Sequence, residues 1–133
     1  MSGDERRNFF DSYIEEVVGR YAGQLQSWDI VNEPFWPGHK APGGYRVGPW
    51  YDAFGTDYVR RAFARAGQVD KTTKFVLNEA QTERDDDVGH AVRAGLLHLV
   101  DELKQAGVPL HAVGLQGHLQ PRYPHDPARF LDF

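Results

Sequence analysis

Three short apolar runs, at Ser27 to Asn32, Phe75 to Asn78 and Ala112 to Gln116, alternate with longer segments in which apolar residues return about every fourth position. That alternation constrains the fold more than any other feature of the chain. From Asp4 to about Ala22, Phe9/Phe10, Tyr13/Ile14, Val17/Val18 and Tyr21 predict a helix with one buried face, stopped by Gly23. Phe54, Tyr58, Ala62 and Ala66 predict a second helix from about Tyr51 to Ala66 that tolerates Gly55. Val88, Val92, Leu96, Leu99/Val100 and Leu103 mark a third, ended by Gly107 and Pro109, and Asp126-Pro127 is an N-cap with Pro at the first helical position of a fourth. Strands separated by helices imply right-handed crossovers and a parallel sheet. Between the first strand and the second helix, Pro34 to Trp50 is rich in Pro, Gly and aromatic residues without any period. It reads as a long rim loop, and loops of that length are uncommon unless they carry function.

The first strand runs through Trp28-Asp29-Ile30-Val31 and ends in Asn32-Glu33, with Pro34 stopping it. A buried parallel strand that ends in this way delivers a carboxyl group to the C-terminal rim of an α/β barrel. A complete (β/α)8 barrel takes about 250 residues, whereas this chain has 133. The expected fold class is therefore α/β, an incomplete TIM (β/α)8 barrel of three parallel strands with intervening helices, as one partial domain over residues 1–133. Apolar residues at 41% and charged ones at 26% fit a soluble globular chain. A net charge of −4 argues against nucleic acid as a partner. With no cysteine, disulfides, thiolate zinc sites and a thiol nucleophile are excluded. No apolar stretch reaches the roughly 20 residues needed to span a bilayer, and no signal-peptide core opens the chain, so as written it is expected to stay in the cytoplasm.

All three strands end in polar residues: Asn32-Glu33, Asn78-Glu79 and Gln116-Gly117-His118. In a parallel barrel those ends converge. A carboxylic acid that protonates a glycosidic oxygen works best beside an amide that holds a sugar hydroxyl, which makes Glu33 the candidate catalytic acid and Asn32 its substrate-binding neighbour. His118 has no His or Cys at ligand spacing, so it is not expected to bind a metal. His90, His98, His111 and His125 read as surface or helix residues, and Glu83-Arg84-Asp85-Asp86-Asp87 as a solvated loop leading into a helix. For Trp36 and Trp50, with Phe35, Tyr45 and Tyr51, two uses stay open: stacking on pyranose faces, or packing the loop onto its own barrel.

Trp28-Asp29-Ile30-Val31-Asn32-Glu33 together with Gly114-Leu115-Gln116-Gly117-His118-Leu119 resembles the fourth- and sixth-strand signatures of glycoside hydrolase family ten, the retaining endo-β-1,4-xylanases. The resemblance covers essentially the whole chain but only the middle of the family's barrel. It implies Glu33 as the acid/base, Asn32 on the 2-hydroxyl of the sugar being cleaved, and His118 with Gln116 orienting the nucleophile. It also implies Asp29 as a buried carboxylate and Asn78-Glu79 in place of an Asn-Asp pair. Ala80 and Gln81 stand where the family usually has Tyr and Asn. The implied partner is a β-1,4-linked polysaccharide such as xylan, and the family is secreted. The family's nucleophile lies on a seventh strand, so this chain by itself is expected to hold the acid/base but not the attacking carboxylate. Its open sheet edges are expected to favour aggregation or pairing with a second copy. A family five-like cellulase fragment and a non-catalytic carbohydrate-binding half-barrel using Trp36 and Trp50 are the alternatives.

Overall fold

The computed structural model describes residues 2–133. Helix α1 (Gly3–Arg20) opens with a reciprocal cap, in which Ser2 Oγ accepts the Glu5 N–H at 3.2 Å and the Glu5 carboxylate accepts the Ser2 N–H at 2.6 Å. Strand β1 (Ser27–Asn32) follows, then the rim loop with two short 3₁₀ turns. Next come α2 (Pro49–Phe54), α3 (Tyr58–Val69), β2 (Lys74–Glu79), α4 (Asp87–Gln105), β3 (Ala112–Leu115) and α5 (Pro127–Asp132). The sheet is parallel in the order β1-β2-β3, as the alternation predicts.

Pairing fixes which side chains share a face. Val31 lies beside Leu77 and Leu77 beside Val113, while Asn32 lies beside Asn78 and Asn78 beside Gly114. The first row turns toward the helices. There Phe75 and Leu77 are sealed beneath Val59, Phe63 and Ala66 of α3 and Val92, Leu96 and Leu99 of α4. Each of the Val, Leu and Phe side chains among them contributes about 1.5–3 kcal/mol by leaving water. The second row, on the opposite face, carries the amides. Gly114 is required in it: a Cβ there would stand 2.5 Å from Asn78 Oδ1.

Four expectations need correction. The helix predicted from Tyr51 to Ala66 is two helices, because Gly55 adopts φ 61°, ψ −144° and ends α2, and a 3₁₀ turn over Gly55–Asp57 leads into α3. That conformation is essentially reserved for glycine. In α1 only Phe10 and Val18 are buried, whereas Phe9, Tyr13 and Tyr21 remain exposed, so its apolar face is only partly covered. Asp29 is exposed rather than buried, since it lies on the outer edge of the sheet at a register shift between Asp29 and Val31. The acidic run does lead into a helix, with Asp86 as the N-cap of α4, but it is less solvated than expected. Glu83 is buried, Asp86 pairs with Arg84 and caps α4 by accepting the Gly89 N–H, and Asp85 binds His90 at 2.8 Å and Arg129 at 3.2 Å. Those contacts tie α5 to the rim. Among the described residues no helix is long and apolar enough to cross a membrane.

Candidate active site

The C-terminal tips of the three strands meet, and their amides form a chain. Asn32 Oδ1 accepts Asn78 Nδ2 at 2.9 Å and Gln116 Nε2 at 3.0 Å, and Gln116 Oε1 lies 2.7 Å from His118 Nε2. An amide oxygen can only accept, so Nε2 is the protonated nitrogen of His118 in this contact. With its oxygen committed twice, Asn32 keeps its NH₂ without a protein acceptor among the described residues. Asn32, Asn78, Gln116 and His118, four of the residues singled out in the sequence, are thus one connected array.

Glu33 continues from Asn32 in a left-handed conformation (φ 52°) that side-chain-bearing residues seldom adopt. Backbone tethers hold it there: its N–H donates to Asn78 O at 2.8 Å, and its carbonyl accepts Arg46 Nε at 2.8 Å. Arg46 Nη2 also reaches Glu33 Oε2 at 2.6 Å. Both partners are partly exposed, so solvent screening keeps the pair to about 1 kcal/mol or less. The Arg46 guanidinium lies 4.6 Å over the Trp36 ring, which takes up one face of that indole.

The loop aromatics divide. Phe35 and Tyr45 are buried against each other, with centroids 4.8 Å apart, and join the loop's two limbs through an isolated bridge. Trp50 packs edge-on to Phe10 at 4.9 Å, fastening the loop to α1, yet it also borders a cavity at the rim. That cavity, about 360 Å³, is lined by Tyr13, Ile30, Asn32, Glu33, Arg46 and Trp50 among others. It is apolar along its wall and charged at the Glu33 end.

Arg46 was missed in the sequence, and Glu79 was read there only as a strand-end carboxylate. Arg46 sits in an aperiodic loop and left no signal. Glu79 did leave one, because strand alternation puts it on the same face as Phe75 and Leu77, which points it into the protein. It is fully shielded from solvent, and its carboxylate accepts the Phe35 N–H at 3.1 Å and the Ala80 N–H at 2.7 Å. Burial pushes its pKa up to about 7. The Ala80 and Phe35 N–H groups pull it back, the Glu33 charge adds to the rise, and Arg46 opposes it. Among the described residues no group of three His, Asp or Glu is placed to hold a metal ion.

Residues 1–131 match the sequence pattern of glycosyl hydrolase family 10. Endo-1,4-beta-xylanase A of Caldicellulosiruptor sp. is 38% identical over 112 residues, which is 84% of this chain and 15% of that protein. Xylanase 10B of Thermotoga maritima superposes with a TM-score of 0.81 at 28% identity, covering 99% of this chain and 39% of the other. Xylanase 10B of Thermotoga petrophila, solved with xylobiose, gives a TM-score of 0.76 at 28% identity over 89% of this chain and 34% of the other. The chain spans between 15% and 31% of the length of the curated relatives it matches. The matched strands are those of a TIM barrel, so the three-stranded sheet is a sector of such a barrel.

Proposed function

The chain belongs to glycosyl hydrolase family 10, and on that premise we propose that its strand tips form the proton-donating side of a retaining endo-β-1,4-xylanase site. One observation carries the reading: Glu33 lines the same cavity as Asn32, which heads the array of Asn78, Gln116 and His118. In the first step Glu33, in its acid form, gives its proton to the glycosidic oxygen as the bond to the anomeric carbon breaks and a carboxylate attacks that carbon. In the second, the Glu33 carboxylate takes a proton from water as the water displaces the enzyme carboxylate and frees the sugar. The Asn32 NH₂ suits a sugar hydroxyl at the cleaved residue. The Gln116–His118 pair stands on the β3 side of the site, where the family resemblance puts the residues that orient a carboxylate facing Glu33.

The attacking carboxylate, about 5–5.5 Å from the acid in a retaining site, comes in this reading from a strand outside residues 1–133. Glu79, the other carboxylate at a strand tip, is shielded and committed to two backbone N–H groups. Arg46 holds Oε2 of the Glu33 carboxyl and, through Nε, the Glu33 carbonyl, which leaves Oε1 without a protein donor among the described residues. Xylan as substrate class is supported by the xylanase relatives and by the xylobiose held by the Thermotoga petrophila enzyme.

The test is a barrel in which this chain replaces its counterpart in the Thermotoga maritima xylanase. That chimera should release reducing sugar from xylan, and Glu33→Gln should slow it by about 10²–10⁴-fold. The 133-residue chain alone should release none. Undiminished xylan cleavage by the Glu33→Gln chimera would refute the assignment.

A further inference from the structure

The turn that presents Glu33 is expensive to hold. Glu33 itself is left-handed (φ 52°), and Pro34 brings no N–H that could secure it. Its entry is tied by the Glu33 N–H to Asn78 O at 2.8 Å. Its middle is tied by Arg46, through Nε to Glu33 O at 2.8 Å and through its N–H to Pro34 O at 2.7 Å. At the exit the Phe35 N–H goes to Glu79 Oε2 at 3.1 Å, and beyond it the Trp36 N–H goes to Gly44 O at 2.8 Å within the Phe35–Tyr45 bridge. Phe35 is 1% exposed, so no bulk water can stand in for the carboxylate.

We propose that Glu79 is a positioning residue for Glu33: its buried carboxylate anchors the Glu33-Pro34-Phe35 turn and so fixes where the proton-donating carboxyl points. This rests on the reading of Glu33 as proton donor. Glu79 never meets the sugar, being wholly shielded. It is itself well fixed, for Oε1 accepts the Ala80 N–H at 2.7 Å and its backbone carbonyl accepts the Gln116 N–H at 2.9 Å. One residue therefore links the acid's turn, the end of β2 and the start of the β3 tip that carries Gln116 and His118. The groups facing it are Glu33 and Arg46 from the rim and Tyr58 from α3. With burial holding its pKa near 7, the tether and the charge beside Glu33 change together as pH crosses that value.

Both oxygens are needed. Glutamine keeps the shape but offers one acceptor and turns an NH₂ toward the other N–H. Aspartate keeps the charge but is one methylene too short to reach both.

In the 133-residue chain, Glu79→Gln should speed hydrogen exchange of the Phe35 amide by about tenfold or more while the Phe75 and Leu77 amides keep their protection. Unchanged exchange at Phe35 would overturn the proposal. Should the glutamine variant not fold, Glu79→Asp reads the same amide. In the Thermotoga chimera, Glu79→Gln should lower kcat/KM on xylan by about 10–100-fold. On an aryl xylobioside whose leaving group needs no proton it should cost under about 3-fold. Equal loss on both substrates, or no loss, defeats the positioning role even if Glu33→Gln keeps its own split. A Glu33→Gln chimera with no split defeats the proton-donor reading instead.

Discussion

Strand β2 is flanked by two buried carboxylates, and they are treated in opposite ways. Asp70, at the base, accepts the N–H and hydroxyl of Thr72, the N–H and hydroxyl of Thr73, and the Gly23 N–H. Those donors, led by the Thr73 hydroxyl, hold its carboxyl well below the usual carboxylate range. Glu79, at the tip, has two N–H donors, complete burial and the like charge of Glu33 nearby, and is pushed up to about 7. A carboxylate with its lone pairs filled is a fastener. One left short of donors beside another carboxylate is poised, and such groups gather where chemistry is done. The two ends of β2 thus hold carboxylates of opposite electrostatic character.

The largest expected effect tests what joins the two ends. Leu77 lies between them, wholly buried. Leu77→Ala should cost about 2–5 kcal/mol in urea unfolding, whereas Val113→Ala on the neighbouring, 38% exposed β3 position should cost under about 1 kcal/mol. Similar losses at both would mean that β2 is not the mechanical centre.

Next in size is the pH dependence of the tip. Because the folded pKa of Glu79 is raised from 4.5 to about 7, the native chain keeps a proton that the unfolded chain has lost. Stability from this group is complete below about 4.5 and declines as pH rises to about 7, by about 3 kcal/mol in all. Glu79→Gln should abolish that slope, as read from unfolding midpoints across pH 4–8. A variant with the wild-type slope would place the titration elsewhere.

At the base the sign reverses. The lowered Asp70 pKa contributes stability that is present above the ordinary carboxylate range and is lost as pH falls through the folded value. Asp70→Asn should therefore be destabilising at neutral pH, with the gap to wild type closing in acid. A gap that is constant with pH would refute the contrast. The smallest effect is expected at His118, which is exposed and held by Gln116 alone. His118→Ala should shift stability by under about 0.5 kcal/mol.

How much of this was readable from sequence follows from the range of each interaction. Strands and their polar tips are local patterns, so β1, β2 and β3 and the array of Asn32, Asn78, Gln116 and His118 were legible before any fold was known. Asp126 could be read as an N-cap, and it does accept the Ala128 N–H at 2.9 Å. Gly55 was not readable as a break, because Phe54, Tyr58, Ala62 and Ala66 keep helical spacing across it. The Arg46–Glu33 pair spans 13 residues of loop and the Arg129–Asp85 pair spans 44 of mixed structure, and neither leaves a periodic trace. Asp29 was carried over from resemblance, in which it pairs with a His of the family's third strand; here it lies exposed on the edge strand β1. Glu79 was legible from alternation, but its partner Phe35, on the loop after β1, was not.

The most direct test is the dependence of rate on leaving-group acidity in the Thermotoga chimera. Rates would be measured on a series of aryl xylobiosides with and without Glu33→Gln. A proton donor at position 33 predicts that log kcat/KM falls steeply with rising leaving-group pKa in the variant and only gently in the parent. Two parallel lines would contradict it, since the proton would then come from somewhere other than the tip of β1.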